Sequence, residues 1–235
     1  TCFGPISSFT VTVQPTPTVS PVANQTVCAG ANTAAVQFVG NSNAVSFNWT
    51  SSLPSIGMSA SGSGNIPTFQ TNNNTNAPIS ANIAVIPKII SGSLTCTGPT
   101  SNFSITVNPI PTVDPILPLT FCNNGVSQVD FSSTFMNNSP NVFYNWTNSN
   151  PATGIPATGT GDINFLASNN TNGLIQSTIS VTPVYINNAV TCSGIAQQVN
   201  LTINPTPTVD TISNVLVCAG QNVLVDFYST FNVPQ

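Results

Sequence analysis

The sequence predicts an all-β protein made of tandem β-sandwich repeats, and three observations predict it. The cysteines recur with one period of about 95 residues, which is the length of a small sandwich domain. Apolar residues alternate with polar ones in short segments between Gly, Asn and Pro turns, as in antiparallel strands that turn one face inward. No segment shows a sustained helical period.

The six cysteines set the repeat. They form two series, Cys2, Cys96 and Cys192 in the first and Cys28, Cys122 and Cys218 in the second. Both series advance by the same two steps, and the spacing from one series to the next is the same at every recurrence. We therefore expect residues 1–14 to be the C-terminal strand of a preceding repeat, residues 15–108 and 109–204 to be two full sandwiches, and residues 205–235 to begin a following, truncated repeat.

Each repeat opens on a proline phrase, "QPTPTV" or "NPIPTV", whose prolines keep the chain extended at a sheet edge or in a linker. A short strand follows, and then a segment ending "NWT" carries one tryptophan. The side chains predicted to form the cores are Val36, Phe38 and Trp49 in the first repeat and Val129, Phe131 and Trp146 in the second. About seven strands with a core tryptophan on the third predict an immunoglobulin-like Greek-key sandwich.

Charge is almost absent from the chain. One lysine faces five aspartates, and there is no Glu, Arg or His, which excludes a nucleic-acid binder and a polybasic membrane surface. Without His or a paired-carboxylate cluster, the chain offers neither a Ser-His or Cys-His nucleophile nor glycosidase chemistry, so no enzyme is expected. The apolar runs are far shorter than the roughly 20 residues of a membrane span.

No cofactor site is predicted either. Six regularly spaced cysteines without His or C-x-x-C spacing favour disulfides of an oxidising compartment over zinc. The glycine-rich "SGSGN" and "TGTGD" precede no helix, so a loop or bulge is favoured over a phosphate cradle. Calcium at Asp162 and its neighbouring asparagines is a weaker alternative, because one carboxylate is few for calcium and Asn65 stands at that position in the first repeat.

Several phrases together resemble the PKD-like repeats of large cell-surface proteins of Bacteroidota, gliding-motility adhesins among them. They are "NPIPTVDP", "NQTVCAG", "FNWT", "SGSGNIP", "NNNTNAPI", "CTG" and "FSITVNP". The resemblance covers essentially the whole chain and implies an extracellular, type IX-secreted stalk at the cell surface, with no catalytic residues. The "DTI" at Thr211 also resembles the O-glycosylation motif of these bacteria.

The cysteine pairing stays open between two alternatives. One disulfide inside each repeat would join Cys28 with Cys96 and Cys122 with Cys192. In this kind of sandwich, however, those positions fall at opposite ends of the strands, more than about 20 Å apart. We therefore expect a disulfide between repeats, from Cys28 to Cys192, with Cys96 and Cys122 pairing to neighbours beyond the sequence if the series continues.

The predicted function is a structural stalk of tandem rigid repeats that projects an adhesive region, for cell adhesion or gliding. Its partners would be neighbouring repeats of the chain, and surface polysaccharide or substratum through other regions. Two alternatives remain: a polysaccharide-binding repeat module, and a laterally self-assembling surface filament whose strand edges lack protective lysines.

Overall fold

The chain folds into two units. A computed structural model describes residues 2–229, and its contacts divide the chain into Thr1–Pro109 and Ile110–Gln235. Both are β-sandwiches, which confirms the predicted all-β, immunoglobulin-like fold class. In the described part of the chain, no helix is long and apolar enough to cross a membrane.

The first unit has one large sheet, in the order β1-β6-β4-β2-β3, with β5 paired to the outer half of β4. Its strands are β1 (Gln25–Cys28), β2 (Val45–Ser51), β3 (Ser61–Ser63), β4 (Ile79–Ser91), β5 (Leu94–Thr97) and β6 (Ser101–Asn108). The alternation along β4 buries Ala81, Ile83 and Val85 in succession, as one inward face requires. A 3₁₀ turn, Pro54–Ile56, connects β2 to β3.

The second unit repeats this sheet in the order β10-β9-β12-β14-β7, with β13 paired to β12 and a two-stranded sheet of β8 and β11. Its strands are β7 (Leu119–Cys122), β8 (Val126–Val129), β9 (Val142–Asn148), β10 (Thr158–Thr160), β11 (Ile163–Leu166), β12 (Ile175–Asn187), β13 (Val190–Ser193) and β14 (Gln197–Asn204). The 3₁₀ turn Pro151–Thr153 takes the place of the first unit's turn.

The small second layer differs between the units. In unit 2, β8 and β11 form a continuous ladder, whereas in unit 1 only the bridges Asn32 to Gln70 and Val36 to Ile66 form. The two bridges are four residues apart on both strands and so share one register, but the ladder between them is interrupted. Between the bridges the backbone of Ala34 is bonded by the Gln25 side chain, which donates to the Ala34 carbonyl and accepts from its N–H. The predicted second strand of the first repeat is thus only a pair of bridges.

Each unit has its own apolar core under its tryptophan. All six side chains predicted from the sequence to be internal are buried, with Trp49 and Trp146 both 7% exposed. They pack among fully buried aliphatic residues of the large sheet, which include Ile83, Ile105, Ile179 and Leu201. Trp146 lies on the third strand of its unit, as predicted. Trp49 lies on β2, because the strand expected before it is reduced to bridges.

The terminal segments do not form the strands that the repeat pattern predicts for them. Residues 2–18 and 205–229 contain no strand, and Phe9, Val11 and Val13 are largely exposed although their equivalents Phe103, Ile105 and Val107 are buried. In unit 1 that segment is β6, which is held between β1 and β4. Residues 2–18 have no such neighbours, so they have no ladder to join. Residues 230–235 lie outside the described part.

Candidate functional site: the two ends of each repeat

Two cysteines of the second series, Cys28 and Cys122, lie where the chain leaves its sandwich. Cys28 ends β1, which pairs in parallel with β6 so that Cys28 lies opposite Asn108, the last residue of β6. The Asn108 carbonyl accepts the Ala29 N–H at 2.9 Å. Unit 2 repeats this arrangement, with Cys122 opposite Asn204. We call this the exit end of the repeat.

Two cysteines of the first series, Cys96 and Cys192, lie where the chain enters its sandwich. Cys96 on β5 pairs with Ile89, and two residues later Gly98 packs against the backbone of the proline phrase. A Cβ on Gly98 would lie 2.8 Å from the Pro17 carbonyl carbon and nearer still to its oxygen, so only glycine fits. The recurring "CTG" and "CSG" are explained by this close approach, which Gly194 repeats against Pro111.

The two ends are separated by almost the full length of the longest strand. On β4, Ile79 pairs with Val107 beside the exit, and Ile89, ten residues on, pairs with Cys96 at the entry. Ten residues of strand span about 33 Å, whereas disulfide-bonded Cα atoms lie within about 7 Å. A disulfide from Cys28 to Cys96 inside one sandwich is therefore geometrically excluded, and unit 2 gives the same result.

The oxidation states agree with this geometry. Cys28 and Cys192 are each disulfide-bonded, whereas Cys2, Cys96, Cys122 and Cys218 are free thiols. The alternative of one disulfide inside each repeat is wrong for this structure, because it needs Cys96 and Cys122 to be bonded. The partner expected for Cys28, namely Cys192, stays a prediction.

The proline phrase is fixed to its own sandwich rather than left as a free hinge. Pro17 is buried, and the Asn41 side chain holds the backbone on both sides of it, donating to the Thr16 carbonyl at 2.9 Å and accepting from the Thr18 N–H at 3.1 Å. The Asn41 side chain thus bonds the backbone of this segment as a neighbouring strand would. The entry end of the repeat therefore lies at residues 16–18.

In unit 2 the Asp114 carboxylate holds the end of the proline phrase through hydrogen bonds. Asp114 accepts hydrogen bonds from the Thr134 N–H at 3.0 Å, the Thr134 hydroxyl at 2.9 Å and the Ser132 hydroxyl at 2.8 Å. These donors, the Thr134 N–H foremost, lower the pKa of the Asp114 carboxyl below its ordinary value because they favour the ionised form. Unit 1 has Ser20 at this position and no aspartate at all among residues 1–109.

The glycine-rich motifs provide the surface on which the two tryptophans pack. Gly62 on β3 and Gly159 on β10 pair with Trp49 and Trp146 of the adjacent strand, and each indole lies flat against its glycine. The Trp146 indole N–H donates to the Gly161 carbonyl at 3.0 Å, whereas the buried Trp49 N–H has no hydrogen-bond partner. The motif is therefore a packing surface for an aromatic ring.

Asp162, the residue considered for calcium, is occupied by a structural hydrogen bond. Its carboxylate accepts the Phe131 N–H at 2.8 Å, and Asn65 accepts the Phe38 N–H at 2.9 Å in unit 1. The amide and the carboxylate thus do the same work. Among the described residues no group of three His, Cys, Asp or Glu side chains could hold a metal ion.

Two buried polar clusters were missed by the sequence reasoning. Asn73 donates to the Val107 and Ala77 carbonyls, and Asn169 donates to the Ile203 and Gly173 carbonyls, so each ties a loop to the exit end of its repeat. The recurrence of "NNT" at the same place in both repeats was the available signal. The second cluster, around Asn148, exists only in unit 2 and had no such signal.

No protein-family model matches the chain, and no curated protein matches it. Among solved structures, it is similar to mouse cadherin-23 EC22–24 at 13% identity, covering 82% of this chain and 67% of that one, with a TM-score of 0.45. It is also similar to the Ig1–2 module of the Drosophila receptor protein tyrosine phosphatase DLAR (13% identity, 81% and 100% covered, TM-score 0.28). For Drosophila N-cadherin EC1–4 the values are 13%, 82% and 51%, and 0.29. The sheets and the two apolar cores described above establish the fold.

Proposed function

We propose that this chain is a stalk segment of a large extracellular cell-surface adhesin, in which tandem sandwiches in a linear array project an adhesive region. Residues 15–108 and 109–204 are its repeats, and the flanking segments belong to the repeats before and after. Secretion by a type IX system, a role in gliding and O-glycosylation at the exposed Thr211 belong to the same proposal.

One observation carries the proposal. In each sandwich the chain enters at one end of the long strand and leaves at the other, about 33 Å away along ten residues. Every repeat therefore advances the chain by nearly its own length. From Asn108 at the exit of unit 1 to Pro111 at the entry of unit 2 are three residues, which leaves little slack between repeats.

The two alternative functions are less well supported. A polysaccharide-binding module uses exposed aromatic platforms, but both tryptophans are buried. Lateral assembly through sheet edges needs long free edges, and here the edge strands β1, β3, β7 and β10 are three or four residues long.

Small-angle X-ray scattering of the 235-residue chain tests the array. A compact globule of this length would have a radius of gyration of about 18 Å, whereas two sandwiches end to end, roughly 85 Å long, would give about 26 Å. A radius of gyration as small as that of the compact globule would contradict the stalk. Saturable binding of a polysaccharide to the same monodisperse protein would support the binding module instead.

A further inference from the structure

We propose that disulfides run from the exit cysteine of each repeat to the entry cysteine of the next, and that this chain of cross-links carries tension along the array. In this segment the complete cross-link is Cys28 to Cys192. By the same rule, Cys122 would bond to the entry cysteine of a following repeat, and Cys96 to the exit cysteine of a preceding repeat. The proposal rests on the linear array proposed above.

The repeat equivalence is the first support. Cys28 and Cys122 both lie at exit ends, and Cys96 and Cys192 both lie at entry ends. Of each equivalent pair, one member is disulfide-bonded and the other is free. The bonded members are the less accessible: Cys192 is 1% exposed while Cys96 is half-buried, and Cys28 is half-buried while Cys122 is exposed.

The path of the chain between the repeats limits how far apart Cys28 and Cys192 can lie. Cys28 lies on the strand beside Asn108, about 5 Å across the ladder. Cys192 is two residues from Gly194, which packs on Pro111. Asn108 and Pro111 are three residues apart and so at most about 11 Å. The short connection between repeats therefore permits an exit cysteine to reach an entry cysteine, while the length of the long strand keeps the two cysteines of one repeat apart.

Forming each cross-link is an oxidation. One cysteine thiolate attacks a small disulfide, such as oxidised glutathione, giving a mixed disulfide and one reduced thiol. The second cysteine thiolate then attacks the protein sulfur of that mixed disulfide and displaces the other glutathione thiolate. Two protein thiols lose two protons and two electrons, one S–S bond forms, and one glutathione disulfide becomes two thiols.

The mechanical consequence follows from connectivity. A pull on the two termini passes through the Cys28–Cys192 bond, so residues 29–191 lie in a closed loop that bears no tension. Unfolding then cannot lengthen the chain by those 163 residues, or about 570 Å of extended chain. In a long array, overlapping cross-links of this kind would keep the stalk at nearly constant length under load.

The single basic residue gives a direct test of the pairing. After free thiols are alkylated and the protein is denatured without reductant, trypsin cuts only after Lys88 and gives fragments of 88 and 147 residues. We expect the fragments to stay joined until reductant is added, in the wild type and in Cys96→Ser. They should separate in Cys28→Ser and in Cys192→Ser. Separation in Cys96→Ser would overturn the pairing.

Single-molecule pulling from the two termini tests the load path. The fully unfolded oxidised chain should reach about 250 Å, against about 820 Å for the reduced chain and for oxidised Cys28→Ser. Equal lengths for oxidised and reduced chains would refute the proposal. Because this outcome does not depend on how the units are arranged in solution, it is distinguishable from a failed scattering test.

A mixing experiment tests whether the free thiols of Cys122 and Cys96 pair with each other between two copies of the chain. In a background with Cys2→Ser and Cys218→Ser, we expect Cys96→Ser and Cys122→Ser variants to stay monomeric alone under a glutathione redox buffer. Mixed at high concentration, they should form disulfide-linked dimers through Cys122 of one copy and Cys96 of the other. Dimers formed equally well by either variant alone would contradict the exit-to-entry rule.

Discussion

Alanine at Gly159 is expected to destabilise unit 2 because a methyl group has no room beside the indole. The added Cβ would lie 2.5 Å from Trp146 Cη2, 2.7 Å from Cε2 and nearer still to Cζ2. The backbone of Gly159 is not in the left-handed region, so the clash is the whole perturbation. The indole must shift within a core where it is only 7% exposed.

The magnitude has two parts. Forcing an extra methyl into a packed core costs about 1–3 kcal/mol. Shifting the indole also breaks the 3.0 Å hydrogen bond to the Gly161 carbonyl, about 1 kcal/mol more. The better strand preference of alanine offsets at most about 1 kcal/mol. We expect a loss of about 2–3 kcal/mol in the free energy of unfolding of unit 2. Gly62→Ala should cost about 1 kcal/mol less, since the Trp49 N–H has no hydrogen bond to lose.

Denaturant unfolding followed by tryptophan fluorescence measures this, because each unit has one tryptophan. Trp49→Phe silences unit 1 and lets Trp146 report on Gly159→Ala. The matched control is Gly173→Ala, where the Cβ meets nothing within 4 Å. If Gly159→Ala proved as stable as Gly173→Ala, the close packing of indole on glycine would be refuted.

Three further outcomes are expected in unit 2. Asp162→Asn should leave the free energy of unfolding of unit 2 nearly unchanged, because Asn65 accepts the equivalent hydrogen bond in unit 1. Asp162→Ala should lower it by about 1–2 kcal/mol, because the Phe131 N–H loses its acceptor. Urea unfolding of both variants separates the two cases. Asp114 has a lowered pKa in the folded state, so its stabilising effect is complete above about pH 4 and is lost as pH falls through the folded pKa. Acid titration should therefore weaken unit 2 but leave unit 1, which has no aspartate, unchanged, and Asp114→Asn should flatten the unit 2 curve in this range. Asn148→Ala should lower the unfolding free energy of unit 2 by about 2–3 kcal/mol, because its buried amide donates to the Ile155 and Asn150 carbonyls; an unchanged denaturation midpoint would contradict this.

The Asn148 cluster also shows where sequence reasoning stops. Asn148, Thr153 and Ser177 form a buried hydrogen-bonded group in unit 2, and the equivalent positions in unit 1 hold Ser51, the fully buried Ile56 and Ala81. The unit 2 set is polar and forms its own hydrogen bonds, whereas in unit 1 the two fully buried members, Ile56 and Ala81, are apolar and Ser51 is half-buried. Read singly, the three polar residues of unit 2 look like surface residues. Only their mutual contacts explain their burial.

The sequence by itself determined the repeat length, the strand character and the inward tryptophans, because those depend on period and alternation, which are local properties of the chain. It also determined that charge-based binding and acid–base catalysis have almost no groups to use. The tertiary structure decided what depends on register: that β1 pairs in parallel with β6, placing Cys28 at the exit, and that β5 places Cys96 about 33 Å away at the entry. Their separation in the sequence does not decide whether Cys28 and Cys96 lie close together in the fold. The ladder of the long strand, which fixes distance along its axis, separates them.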